Sequence, residues 1–123
     1  TDKAYELTKE LLKKYPAMDL IVGMNEYSAV GAARAVRNLG KTDMVHMGSI
    51  DSSIEQIQFL ESGVFDALVV QKPFNMGYLG VETAVRVTRG EKTEKSIDSG
   101  SELITKENMY TEENQKLLFP VAK

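Results

Sequence analysis

Three polar side chains stand at or just beyond the ends of three short apolar runs. They are Asn25 after "DLIVGM", Asp51 after "MVHMGSI" and Gln71 closing "DALVVQ". An ionised aspartate only accepts hydrogen bonds, whereas asparagine and glutamine each donate and accept. Such a set suits a neutral molecule covered in hydroxyls, because each hydroxyl needs both a donor and an acceptor. Every one of these residues also has a local reading. Asn25 and Asp51 can each cap the helix that follows it. Gln71 can simply end a strand before Lys72 and Pro73. Tyr27 and Phe74 can stack on a ring or pack a core or hinge, and Lys72 reads as solvated. His46 lies inside a strand with no cysteine, second histidine or paired carboxylate at ligand spacing, so no metal is expected. There is no nucleophile–base pair and no phosphate-cradling glycine loop. The expectation is therefore no catalytic residue and no cofactor.

An alternation of helices and strands must position these groups. "DKAYELTKELLKKY" puts Ala4, Leu7, Thr8, Leu11 and Tyr15 on one helical face, with Asp2 as a cap and Pro16 as the stop. Residues 19–23 read as a buried strand. Residues 28–40 form a helix with Ala29, Ala32, Ala33, Val36 and Leu39 inward, closed by Gly40. Residues 44–47 form a strand. Residues 52–63 form a helix capped by Ser52 or Ser53, and residues 66–71 a third strand. A fourth helix spans 75–89, where Gly77 and Gly80 each cost about 1 kcal/mol relative to alanine. That cost suggests close packing against something. Residues 96–105 read as extended, and the polar tail from Lys106 carries "LLF" (117–119) as a docking point.

Strands each followed by a helix give an α/β fold, a parallel sheet with flanking helices. Ligands in such sheets bind beyond the carboxyl ends of the strands, where Asn25, Asp51 and Gln71 stand.

The 123 residues allow one domain with a modest core, and 42% hydrophobic with 27% charged residues is ordinary for a globular chain. The net charge of −3 and the lack of any Lys/Arg block give nucleic acid no electrostatic footing. No apolar run is long enough to span a bilayer. The absence of cysteine removes disulfides and thiol catalysis and leaves the redox compartment open. The chain opens at Thr1 directly into a helical pattern, so the expectation is a piece of a longer protein.

"DLIVGMNEYSAVGAARAVRNLGK", "SIDSS" and "ALVVQKPFNMGYLGVETAVRVTRGEK" resemble the C-terminal portion of type I periplasmic sugar-binding proteins of the ribose, galactose and allose kind. That family is related to the effector domains of lactose-repressor-type regulators. The segment "ITKENMYTEENQKLL" is closer to the transporter branch. The resemblance implies that residues 1–71 are part of a C-terminal ligand-binding lobe. It implies that residues 72–123 hold the hinge crossing, a helix belonging to the other lobe, and the tail. It also assigns sugar contacts to Asn25, Asp51 and Gln71. Two positions depart from the family pattern: Glu26 stands where an aspartate is usual, and Ser49 where a glycine is common. Neither removes a ligand group, but both could reshape the pocket.

Three functions follow from different starting points. The first is a solute receptor for an importer, extracytoplasmic, holding a monosaccharide or similar polyol and meeting membrane permease subunits. The second is a cytoplasmic regulator's effector domain. The third is a small enzyme using Asp51 or Glu26, or a receiver-like phosphate acceptor; the first strand's "GMNE" ending and Lys72 before Pro73 disfavour it. Half a lobe pair would expose apolar surface, so self-association is expected, with exchange of the helix at 75–89 between copies.

Overall fold

The computed structural model describes residues 1–120; the last three residues of the tail reading lie outside it. The order of elements is α1 (Asp2–Lys14), β1 (Leu20–Gly23), α2 (Glu26–Asn38), β2 (His46–Ile50), α3 (Ile54–Glu61), β3 (Ala67–Gln71), α4 (Pro73–Thr88), β4 (Ser101–Thr105) and α5 (Glu112–Leu118). The sheet runs β1-β2-β3-β4, with the first three strands parallel. The chain divides into two units. One is Thr1–Val70 with the chain from Leu103 onward; the other is Gln71–Glu102. Residues from Leu103 therefore group with the first unit.

In the first unit, sequential strands joined by right-handed crossovers put α2 and α3 on the same side of the sheet. Their apolar stripes bury Ala29, Ala33, Val36, Ile57 and Leu60 against Met47, Leu68 and Val70. Phe65 closes the core floor beneath Phe59, edge to face at 5.8 Å. Ile104, Met109 and Leu118 complete the same cluster, so the tail docks through Leu118 while Phe119 stays partly exposed.

Register fixes the other face. Leu20 pairs with His46, Val22 with Gly48, Gly48 with Ala67, and Ile50 with Val69, so all of these share one side. Leu20, Val22 and Val69 are exposed there. The expectation of a fully buried first strand is thus corrected: β1 lies at a sheet edge, and only Gly23 of its residues is buried.

Other departures are local. In α1 the buried residues are Thr8 and Leu12, while Leu7 and Tyr15 are half exposed. The inward face is turned toward α2 because Gly31 lets the helices touch; a Cβ there would lie 2.3 Å from the Thr1 carbonyl oxygen. Thr1, not Asp2, takes the N-cap position. β2 starts two residues later than expected and runs through Gly48 and Ser49, because pairing with both neighbours overrides the weak strand preference of those residues.

In the second unit, α4 begins at Pro73, whose missing N–H costs nothing in the first turn. Lys72 is not simply solvated: its Nζ lies 2.5 Å from Glu102 Oε1. Asn75 Nδ2 donates to the Ser99 carbonyl at 3.3 Å. Met76, Leu79 and Thr83 face Ile97 and Ser99. Within this unit neither Gly77 nor Gly80 has a neighbour within 4 Å of where a Cβ would sit, so the close packing expected of them is not found there.

Candidate functional site

The site begins with a contact that admits no side chain. A Cβ on Gly23 would lie 2.4 Å from both Cα and Cβ of Ala29. The end of β1 and the second turn of α2 therefore meet backbone to backbone, and α2 must start directly above the strand end. Asn25 takes the turn between them with φ −164° and ψ 170°, the extended geometry of an N-cap.

Asn25 and Ser28 form a reciprocal capping box. Ser28 N donates to Asn25 Oδ1 at 2.9 Å, and Asn25 N donates to Ser28 Oγ at 3.3 Å. The local reading of Asn25 thus holds, and it uses only the side-chain oxygen. Among the described residues, nothing accepts a hydrogen bond from Asn25 Nδ2.

Asp51 caps the same helix. Glu26 N donates to Asp51 Oδ2 at 3.1 Å. The cap of α3 is Ser53, one of the two serines expected, in a box with Gln56, so the alternative in which Asp51 caps its own following helix is not the one observed. The result is that Asn25 and Asp51, 26 positions apart, meet at one helix N-terminus, where the peptide dipoles favour negative charge. Asp51 N also donates to the Val69 carbonyl at 3.0 Å, which ties the residue to β3. Its φ is +80°, the left-handed region that an aspartate tolerates but does not prefer.

Gln71 stands at the third strand end, exposed, as the last residue of β3 and the first of the second unit. Tyr27 and Phe74 pack no core; they are 68% and 82% exposed. His46 Nδ1 lies 3.2 Å from Asp66 Oδ1 at the other end of β2, and no metal-binding cluster occurs among the described residues.

A fork of two 2.7 Å hydrogen bonds joins Arg34 of α2 to Glu55 in the first turn of α3. Those bonds hold the Glu55 carboxyl below its ordinary range and raise the Arg34 guanidinium. The pair braces the two helices whose N-termini flank Asp51. A groove of about 410 Å³ lined by Glu6, Lys9, Leu12 and Leu39 lies at the opposite end of α2 and takes no part.

Sequence reasoning passed over Gln56, which is fully buried. The spacing Ser53-x-x-Gln56 is a capping-box signature and was the available signal.

Residues 1–92 match the model of the periplasmic binding protein domain. The chain belongs to that family. It is 30% identical to the ribose import binding protein of Escherichia coli over 105 residues, which is 85% of this chain and 35% of that protein. A sugar transporter structure from Clostridium phytofermentans is 51% identical, with a TM-score of 0.70 over 85% of this chain and 36% of its own. A carbohydrate transporter solute-binding protein from Agrobacterium radiobacter, solved in complex with D-arabinose, is 32% identical with a TM-score of 0.85. It is matched over 95% of this chain and 40% of its own. The chain thus spans about a third of the length of the curated relatives it matches. The mostly parallel α/β architecture is that of the periplasmic-binding-protein fold.

Proposed function

We propose that this chain supplies one side of a monosaccharide or polyol site in the solute receptor of an ABC-type importer. The observation that carries the reading is the meeting of Asn25 and Asp51, from separate βα junctions, at the N-terminus of α2. The Asn25 cap uses its side-chain oxygen and not its amide donor, and Asp51 brings an acceptor-only carboxylate to the same helix end. That pairing serves a diol: the carboxylate accepts from hydroxyl hydrogens while the amide donates to a hydroxyl oxygen. Gln71 is the third ligand group, at the point where the chain passes into the second unit. In the whole receptor, ligand touching both of its lobes would favour the closed population. No bond is made or broken, so no residue is catalytic. The receptor works outside the cytoplasm and hands its closed form to permease subunits.

The relatives support transport over the regulator reading, since the matched proteins are import and solute-binding proteins. Calorimetry tests the proposal on the chain and on any longer polypeptide that carries it. D-ribose, D-arabinose, D-fucose and D-allose are titrated against wild type, Asn25→Ala, Asp51→Ala and Gln71→Ala. Each substitution is expected to weaken binding by about 1–3 kcal/mol, the cost of stranding a buried hydroxyl. Saturable binding that all three variants leave unchanged would refute the assignment.

A further inference from the structure

We propose that Gln56 is the positioning residue for Asp51: one fully buried amide clamps the backbone on both sides of it. Gln56 Nε2 donates to the Ile50 carbonyl at 2.7 Å, immediately before Asp51. Gln56 Oε1 accepts from Ser53 N at 2.7 Å, two residues after it. The second Nε2 hydrogen goes to Ser49 Oγ at 2.6 Å, and Ser49 is itself buried. The amide orientation is fixed by its partners, because a backbone carbonyl can only accept and a backbone N–H can only donate. No described buried side-chain nitrogen or oxygen in the chain lacks a partner, so the cluster is fully satisfied.

The clamp explains the backbone of Asp51. A non-glycine residue at φ +80° persists only where its surroundings over-determine it. Here Ile50 and Ser53 are pinned by one side chain, and Asp51 N is held by the Val69 carbonyl. The loop between β2 and α3 is left with one way to run, and that way aims the carboxylate at Glu26 N. Ser49 thereby gains a role of its own: its hydroxyl oxygen accepts the second Nε2 hydrogen of Gln56.

This inference rests on the reading of Asp51 as a ligand group, but its test does not use a ligand. Amide chemical shifts and hydrogen exchange of the 123-residue chain are compared for wild type, Gln56→Ala, Ser49→Ala and Asp51→Ala. In Gln56→Ala the Glu26 amide proton is expected to move toward its position in Asp51→Ala. Exchange at Asp51 N should quicken about tenfold relative to Val36, which sits in the middle of α2 and reports global stability. Ser49→Ala should move both signals in the same direction by less, and it decides the matter if Gln56→Ala does not fold. A Glu26 signal unmoved in every folded variant, with Asp51 exchanging in constant ratio to Val36, would overturn the proposal. A merely structural role would quicken both amides together. Failure of the sugar reading would appear instead as calorimetric binding indifferent to Asp51→Ala.

Discussion

A methyl group on Gly23 is the sharpest test of how the site is built. In Gly23→Ala the new Cβ would sit 2.4 Å from Ala29 Cα and Cβ. That is roughly 1 Å inside the ordinary carbon–carbon separation of about 3.5 Å. Backbone, not a flexible side-chain tip, would have to yield, so α2 must lift off the end of β1. Overpacking of this kind costs about 1–3 kcal/mol, and the rigidity of the neighbour puts Gly23→Ala at the upper end. Gly48 provides the matched control in the adjacent strand. Its Cβ would meet only the Val22 side chain, Cγ2 at 3.8 Å and Cγ1 at 4.0 Å, and its φ is not left-handed. Gly48→Ala should therefore be neutral or stabilise by about 0.4–1 kcal/mol through the unfolded chain. Thermal and urea unfolding followed by circular dichroism should separate the two variants by about 3 kcal/mol, or roughly 10 °C in Tm for a chain of this size. Lifting α2 also draws Glu26 N from Asp51, so the Glu26 amide resonance should shift in Gly23→Ala alone. Equal stability of the two variants would refute the claim that backbone contact at Gly23 sets the site.

Asp51→Ala loses the bond to Glu26 N and keeps a left-handed residue, whereas Asp51→Gly loses the bond and relieves the backbone; the alanine variant should be less stable by about 1 kcal/mol, read by urea unfolding. Glu55, held below its ordinary value near 4.5 by Arg34, contributes stability that is complete above that value. That contribution is lost as pH falls through the folded value, so Arg34→Ala should lower stability by a constant amount above pH about 6 and by less in acid, which flattens the acid limb of a stability–pH curve. The exposed sheet face at Leu20, Val22 and Val69, with Phe74, Tyr78 and Val81 exposed on α4, should make the chain self-associate. Light scattering is expected to show concentration-dependent mass that Val69→Lys reduces, and a strict monomer throughout would count against it.

Element types were legible because they depend on neighbours along the chain. Apolar periodicity marked α2 and α3, Pro73 and the glycines marked boundaries, and the serine pair Ser52–Ser53 marked a cap. The positions of Asn25, Asp51 and Gln71 at strand ends followed from the same local pattern. What local pattern could not supply was partnership across distant segments. Whether Asp51 capped α3 or α2 was undecidable from sequence, since either helix offers orphan amides of identical chemistry. Only the parallel register of β1 and β2 brings the end of one strand beside the helix that follows the other. The exposure of Leu20 and Val22 has the same origin: an apolar strand reads alike at a sheet's edge or centre, and strand order alone decides what covers it. Sequence thus determined which groups can hydrogen-bond and roughly where each stands on its element. Tertiary structure decided which of them meet, because a hydrogen bond forms only over a few ångströms and chain connectivity does not encode that distance.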